Sequence, residues 1–129
     1  MENIGDHNDK LIMIVDDDPK IRDIVKTLLE KYGFQTIDSN DGETALNQYI
    51  NQPADLVILD LSIPGMNGLR CLEKILSLDQ QAKIIISSGK IDIEIPEQVL
   101  AKGAKAFLPK PFTSRELYNT VTTVLEENP

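Results

Sequence analysis

The chain has 129 residues, a formal net charge of −8 and a hydrophobic share of 41%. That length is typical of a single domain with one sizeable core, and the composition is that of an ordinary globular protein. The negative charge argues against nucleic acid or an anionic membrane surface as a direct partner. A single cysteine excludes a disulfide framework, and no apolar run reaches transmembrane length. The N-terminus MENIGDHNDK has no apolar segment typical of a signal peptide, so we expect a cytoplasmic protein.

Short apolar runs alternate with amphipathic sequence along the chain. Residues 1–10 are expected to be a polar N-terminal tail, and residues 11–127 the folded domain. The predicted strands are Leu11–Val15, Phe34–Ser39, Leu56–Asp60, Lys83–Ser87 and Ala106–Leu108. Runs rich in Ile, Val and Leu, each followed by amphipathic sequence, are typical of buried parallel strands alternating with helices.

The sequences between these strands carry helix signals. Asp18-Pro19 places proline at the first helical position, Asp41 is suited to cap the second helix, and Thr113-Ser114-Arg115-Glu116 fits a capping box. Residues expected to face inward are Ile21, Ile24, Val25, Leu28 and Leu29 on the first helix, Ala45, Leu46, Tyr49 and Ile50 on the second, and Leu69, Leu72, Ile75 and Leu76 on the third. The alternation in IDIEI (91–95) predicts an extended loop, followed by a short fourth helix from about Pro96 to Lys102.

Polar residues stand where the hydrophobic runs stop. Asp16 and Asp17 follow LIMIV, Asp60 follows LVIL, Ser88 follows IIIS and Lys110 follows AFLP. In open α/β sheets, ligands bind outside the carboxyl ends of the strands. Three close carboxylates repel one another unless a cation neutralises them, and a few hard oxygen ligands suit Mg²⁺. The pattern predicts a phosphoryl and Mg²⁺ site at this edge of the sheet.

Each of these residues also has an ordinary structural interpretation when it is taken alone. The acidic run before Pro19 suits a helix cap, and Asp60 suits a turn that bonds its own backbone. Lys110 suits an exposed surface position, and Ser88 suits the end of a strand. A carboxylate can nevertheless attack phosphorus to give an acyl phosphate, with a metal and a lysine offsetting the charge on the transferring oxygens.

The segments that carry these residues resemble a known family. IVDDDP (14–19), LVILDLSIPGMNGL (56–69), IIISSG (84–89) and GAKAFLPKPF (103–112) are similar to segments of the receiver domains of two-component response regulators. The resemblance extends from about Leu11 to Glu126, which is nearly the whole chain. It implies a doubly wound, five-stranded parallel sheet in the order 2-1-3-4-5, the flavodoxin-like receiver fold with five helices.

The resemblance also implies roles for the acidic residues. Asp60 is the expected phosphoacceptor, which receives a phosphoryl group from a phosphohistidine. Asp17 is the expected direct Mg²⁺ ligand and Asp16 the expected ligand through a water, and Asp60 and the backbone carbonyl of Ser62 complete the expected set. Ser62 and Lys90 occupy positions that flank the phosphoryl group, and they are expected to tune its rate of hydrolysis.

Further roles are implied on the last two strands. Lys110 is expected to pair with Asp60 and then with the phosphoryl oxygens, and Lys110-Pro111 is the expected cis peptide bond. Ser88 is the expected switch hydroxyl, and Phe107 the switch aromatic that turns inward as Ser88 moves. Because Phe107 has no hydroxyl, its signal must come from packing.

The expected function is that of a phosphorylation-dependent signalling switch in a two-component system or phosphorelay. The implied partners are a histidine kinase or histidine phosphotransfer protein as donor, and an output partner or output domain that the sequence does not identify. The protein is not expected to be an enzyme, beyond its own aspartyl phosphorylation and autodephosphorylation. It is expected to be a monomer or a phosphorylation-dependent dimer.

Two other classes of protein share features of this sequence with the switch. An Mg²⁺-dependent phosphohydrolase also uses a strand-end aspartate, but it requires a further acidic pair after the lysine strand. Past Lys110 the chain has only Glu116, Glu126 and Glu127, which all fall on the predicted last helix. A pseudo-receiver, a binding module that acts without phosphorylation, predicts a missing acid or lysine, and none is missing.

Overall fold

The computed structural model describes residue 7 and residues 9–63, 65–89 and 94–127. The strands are β1 (Leu11–Val15), β2 (Gln35–Ser39), β3 (Leu56–Asp60), β4 (Ile84–Ser88) and β5 (Ala106–Pro109). The helices are α1 (Pro19–Lys31), α2 (Gly42–Asn51), α3 (Gly68–Leu78), α4 (Glu94–Ala101) and α5 (Ser114–Glu126). No helix in these ranges is long and apolar enough to cross a membrane.

All neighbouring strands pair in parallel, and the sheet has the order β2-β1-β3-β4-β5. This confirms the predicted fold class. The order places β1 beside β3, so the carboxyl ends of these two strands meet at the middle of one sheet edge. The loops that follow β1, β3, β4 and β5 therefore converge on that edge, where open α/β sheets bind their ligands.

The core consists of two layers, one on each face of the sheet, because successive side chains of a strand point to opposite faces. On one face Met13, Val15, Leu59 and Ile86 pack with residues of α2, α3 and α4. On the other face Ile12, Ile14, Ile58 and Ile85 pack with residues of α1 and α5. Strands buried on both faces explain why the apolar runs are continuous rather than alternating.

The predicted helix caps are confirmed. The Asp18 carboxylate accepts the amide of Lys20, and the Asp41 carboxylate accepts the amide of Thr44. Thr113 and Glu116 form the reciprocal bonds of a capping box at the start of α5. Each cap satisfies backbone donors that the first turn of a helix leaves without a partner.

Several predicted boundaries and inward positions were wrong. Ile24 is 57% exposed and Ile50 is 55% exposed, because both lie at the edge of their apolar stripes, beyond the contact with the sheet. Strand β4 extends to Ser88, since it pairs with β5 as far as Pro109. Helix α4 starts at Glu94 rather than Pro96, and proline is tolerated there because the first helical turn needs no amide donor.

Part of the predicted tail can be placed. Residues 1–6 and 8 lie outside the described residues, but the His7 ring stacks on the Phe34 ring at a centroid distance of 4.4 Å. Nε2 of His7 also lies 3.2 Å from the Tyr118 hydroxyl. Of the loop predicted at 91–95, residues 91–93 fall outside the described residues as well, and the last two residues belong to α4.

Candidate functional site

Three carboxylates meet at the carboxyl edge of the sheet. Asp16 and Asp17 directly follow β1, Asp60 ends β3, and one oxygen from each of the three lies within 4.8 Å of the others. Asp16 is 4% exposed and Asp60 is 6% exposed, whereas Asp17 is exposed. The cluster therefore has a buried floor and one side that is open to solvent.

The backbone and the side chain of Asp16 are both held in place. Its amide donates to the Ser39 carbonyl at 3.1 Å, and its carbonyl accepts Nη1 of Arg22 at 2.7 Å. One carboxylate oxygen accepts the amide of Asp18 at 2.9 Å, and the other accepts Nζ of Lys110 at 2.7 Å. Asp16 is thus a fixed element of the cluster.

Lys110 reaches the cluster from the end of β5. Its ammonium lies 2.7 Å from Oδ2 of Asp16 and 3.6 Å from Oδ2 of Asp60, so it bridges the two buried carboxylates. The resemblance implied pairing with Asp60, but the shorter contact is to Asp16. The Lys110 amide donates to the Ser88 carbonyl at 3.0 Å, and the Lys110-Pro111 bond is cis.

The environment of Asp60 works against its negative charge. Burial raises the pKa of its carboxyl group, and the neighbouring charges of Asp16 and Asp17 raise it further. The Ser62 amide, which donates to Oδ1 of Asp60 at 3.2 Å, and the Lys110 ammonium act in the opposite direction without cancelling the effect. A second cation beside these carboxylates would relieve their repulsion.

The cluster fits Mg²⁺ in distance, charge and donor type. The three oxygens lie within 4.8 Å of one another, whereas direct ligands of one octahedral Mg²⁺ are about 3.0 Å apart in cis and about 4.2 Å apart in trans, so the ion would draw the carboxylates together or bind one of them through a water. Three carboxylates and one ammonium carry a formal charge of −2, which an Mg²⁺ ion balances. The open side at Asp17 leaves room for the waters that Mg²⁺ retains.

The other predicted site residues lie around this cluster. Ser88 is the last residue of β4 and is 1% exposed, and Ser62 is exposed on the loop after β3. Phe107 lies in β5 opposite Ile86, partly buried against the α2–α4 side of the core. Lys90 lies outside the described residues. The edge of the sheet therefore brings together every predicted site residue that is described except Phe107, which lies further down β5.

An apolar cleft adjoins the cluster. It has a volume of about 450 Å³ and is lined by Ile21, Ile24, Val25, Gly89, Lys110, Pro111 and Phe112. We call it the α1–β5 cleft. Its lysine is the one that contacts Asp16 and Asp60, so a molecule bound in the cleft would lie beside the acidic cluster.

Two contributors to the site were missed by the sequence reasoning. A Cβ atom on Gly68 would lie 2.5 Å from Cα of Leu61 and 2.6 Å from the Asp60 carbonyl oxygen, so this glycine allows α3 to pack against the loop after β3. The sequence feature that could have indicated this role is the glycine-containing loop that leads into α3. Arg22 had no comparable signal, because its partners lie on β2 and at the end of β1.

A parallel sheet of this order, with a buried aspartate and a lysine at its carboxyl edge, is the architecture of a signalling receiver. A family model described as the response regulator receiver domain matches residues 12–122. The chain belongs to this family.

The chain is similar to known relatives over nearly their whole length. The chain is 32% identical over 115 residues to the chemotaxis protein CheY of Bacillus subtilis, covering 88% of this chain and 96% of that one. It is 32% identical over 114 residues to the sporulation initiation phosphotransferase F of the same organism, covering 88% and 92%. It also resembles a crystal structure from Borrelia burgdorferi described as a CheX-CheY-BeF3-Mg²⁺ complex, with 31% identity, a TM-score of 0.87 and coverage of 92% and 90%.

Membership of the family establishes the general function. Receiver domains act in phosphorylation-dependent two-component signalling, and they are generally switches rather than enzymes. They interact with histidine kinases or phosphotransfer proteins, and the family uses Mg²⁺ at an acidic site. The cluster of Asp16, Asp17 and Asp60 is the acidic site of this chain that could hold the ion.

Proposed function

We propose that residues 11–127 form a receiver that accepts a phosphoryl group from a phosphohistidine onto Asp60. The observation that supports this most strongly is the position of Asp60. Its buried carboxylate lies 3.6 Å from the Lys110 ammonium and within 4.8 Å of two further carboxylates. A pseudo-receiver would have no need of a buried acidic cluster that is unfavourable without a cation.

The transfer is a displacement at phosphorus. A carboxylate oxygen of Asp60 forms the new P–O bond while the P–N bond to the donor imidazole breaks. The imidazole nitrogen keeps the electron pair of that bond and takes up a proton from solvent. Lys110, which contacts Asp60 and Asp16, is placed to compensate the charge on the transferring oxygens.

The chain's own oxygens supply the metal ligands. Asp17, Asp60 and the backbone carbonyl of Ser62 are the proposed Mg²⁺ ligands, with Asp16 binding through a water, and the ion would compensate charge on the carboxylates and the phosphoryl oxygens. The Borrelia burgdorferi structure described with BeF3 and Mg²⁺ supports this assignment, because its protein is similar to this chain over 92% of the length.

The α1–β5 cleft is the proposed contact for the histidine donor. It is apolar apart from Lys110, it includes the 57% exposed Ile24, and it lies beside the acidic cluster. An apolar side chain of the donor that enters the cleft would bring its histidine close to Asp60. The proposed donor is a histidine kinase or a histidine phosphotransfer protein.

Ser88 and Phe107 are the proposed switch. Phosphorylation adds about −1.5 to −2 charges at Asp60. Ser88 is bonded through its carbonyl to the Lys110 amide, so a new contact of either residue with the phosphoryl group moves the ends of β4 and β5 together. Phe107 would then repack and change the surface formed by α4, β5 and α5, as a shift between two packings. The output partner and any phosphorylation-dependent dimer would use this surface.

Ser62 and Lys90 are the proposed residues that tune the lifetime of the phosphoryl group. The Ser62 amide contacts Oδ1 of Asp60, so its side chain starts close to the reacting oxygens. A cation at Lys90 would act on the acyl phosphate through its charge. Lys90→Ala is therefore expected to change the rate of dephosphorylation, and an unchanged rate would contradict this role.

Intact mass after incubation with acetyl phosphate and Mg²⁺ tests the proposal. We expect one added phosphoryl group on the wild type and on the control Asp23→Asn, which removes an exposed carboxylate of α1. We expect none on Asp60→Asn and none with EDTA. If the wild type gains no mass from acetyl phosphate or from a phosphorylated histidine donor, the pseudo-receiver function replaces the proposed one.

A further inference from the structure

The Arg22 guanidinium connects three elements beside the acidic cluster. Arg22 lies in the first turn of α1, and its side chain is 18% exposed. Nε donates to Oδ2 of Asp38 on β2 at 3.1 Å, and Nη1 donates to the carbonyl oxygen of Asp16 at 2.7 Å. An arginine that serves only for solubility would extend into water instead. Two contacts therefore hold this side chain at once, a charge-assisted bond to the Asp38 carboxylate and a bond to the Asp16 backbone.

The contact with the Asp16 carbonyl determines the orientation of the next residue. The peptide group between Asp16 and Asp17 is planar, so fixing its oxygen also fixes the amide nitrogen of Asp17. The amide of Asp16 is already held by the Ser39 carbonyl at 3.1 Å. The Asp17 carboxylate itself is exposed and has no hydrogen bond or ion pair with the described parts of the chain. Its direction therefore depends on the backbone that Arg22 holds.

Asp38 holds the arginine in turn. It lies opposite Ile14 in the ladder between β1 and β2, two positions before the acidic pair. Its second oxygen lies 3.6 Å from Nζ of Lys26, which is one helical turn after Arg22. Two cations on α1 thus share one carboxylate on β2, and this arrangement restricts the guanidinium to the position from which it reaches the Asp16 carbonyl.

We propose that Arg22 is a positioning residue for the Mg²⁺ site: by bonding the Asp16 carbonyl while anchored to Asp38, it orients the Asp17 carboxylate toward the ion. This inference rests on the Mg²⁺ site of the proposed function and adds a residue to it. Arg22 contributes through the Asp16–Asp17 backbone and touches neither the ion nor the phosphoryl group.

Two substitutions of Arg22 separate position from charge. A cation near a metal site weakens metal binding through repulsion, so loss of charge alone would tighten Mg²⁺ binding. Lysine keeps the charge, but its compact ammonium group cannot reproduce the two directed contacts of a planar guanidinium. If position dominates, Arg22→Lys and Arg22→Gln both weaken Mg²⁺ binding.

Isothermal titration calorimetry with MgCl₂ measures this directly on the full chain. We expect the Mg²⁺ dissociation constant to rise about tenfold for Arg22→Lys and for Arg22→Gln. Arg115→Lys, the matched change at an exposed position of α5, should leave the constant unchanged. Asp38→Asn should raise it by a smaller factor. Arg22→Lys should raise the Mg²⁺ dissociation constant by a smaller factor in the Asp38→Asn background than in the wild type, because the two residues act as one unit.

Urea unfolding of each variant separates positioning from a general structural role. If Arg22→Lys lowers stability but leaves the Mg²⁺ dissociation constant unchanged, the inference is overturned. It is also overturned if Arg22→Gln binds Mg²⁺ more tightly while Arg22→Lys matches the wild type. A wild type that binds Mg²⁺ but accepts no phosphoryl group would refute the proposed function and leave the role of Arg22 intact. A wild type that binds no Mg²⁺ would overturn both.

Discussion

Replacing Asp60 by asparagine should stabilise the protein when Mg²⁺ is absent. The substitution removes a buried negative charge but keeps an oxygen that can accept the Ser62 amide. Lys110 also keeps its shorter contact, which is to Asp16 at 2.7 Å. The charge of Asp60 is therefore lost without leaving a buried cation unpaired.

Burial of the charged Asp60 is the largest contribution to the effect, and Coulomb energies give the size of the contribution from the neighbouring charges. The Asp16 and Asp17 oxygens lie at most 4.8 Å from the Asp60 oxygen, so at an effective dielectric constant of about 20 each repels it by at least about 3.5 kcal/mol. Attraction to Lys110 across 3.6 Å is about 4.6 kcal/mol, so the balance disfavours the charged Asp60 by about 2 kcal/mol. For a chain of this length, a gain of that size raises Tm by about 5 to 10 °C.

The gain should depend on pH in a defined direction. The pKa of Asp60 is raised in the folded protein, so the folded state holds its proton more tightly than the unfolded chain does. Below the unfolded pKa of about 4 both states are protonated, and the wild type carries no penalty. The penalty develops as pH rises above the unfolded pKa and through the folded one, so the advantage of Asp60→Asn is larger at neutral pH than in acid, where it disappears.

Thermal and urea unfolding in EDTA, at neutral and at acid pH, measure the effect. Asp23→Asn is the matched control, because it removes one exposed carboxylate from a chain of net charge −8. The reasoning is refuted if Asp60→Asn is no more stable than this control at neutral pH. It is also refuted if the advantage persists unchanged in acid.

Three further outcomes follow from buried groups near or beneath the site. Ser87 is 2% exposed and its hydroxyl has no partner among the described residues, so Ser87→Ala should raise the free energy of unfolding by about 1 kcal/mol. The Ser39 hydroxyl donates to the Asp41 carbonyl at 3.0 Å, so Ser39→Ala should lower the free energy of unfolding. Equal effects of the two in urea unfolding would contradict this. Gly68→Ala should lower the free energy of unfolding by about 1–3 kcal/mol and slow phosphorylation, because its Cβ would meet backbone at 2.5 Å. Gly89→Ala, with its nearest contact at 3.8 Å, should keep its stability, and equal losses of stability for the two variants in urea unfolding would count against the packing argument. Burial raises the pKa of the Cys71 thiol to about 11, so iodoacetamide at about pH 8 should label this thiol only after unfolding. Labelling is measured by mass, and rapid labelling of the native protein would show that the thiol is not buried.

Much of the site could be predicted from local sequence. Strands buried on both faces produce continuous apolar runs, and each run ends where the backbone leaves the sheet, so Asp16, Asp17, Asp60 and Lys110 could be placed on one edge. Helix caps could be predicted because each depends on residues within one turn, as at Asp18, Asp41 and Thr113. The strand order came from resemblance to a family rather than from the physical pattern.

Contacts between residues distant in sequence were decided only by the tertiary structure. Periodicity placed Ile24 on an apolar stripe, but whether anything covers that position depends on how far the sheet reaches. The same limit applies to Lys110, whose nearest carboxylate is Asp16 and not Asp60. The bond from Arg22 to the Asp16 carbonyl and the close packing of Gly68 also join separate elements. The sequence by itself determined which residues reach the edge of the sheet, since that depends on local pattern. The tertiary structure determined which atoms meet there, because side-chain distances depend on how all the strands and helices pack together.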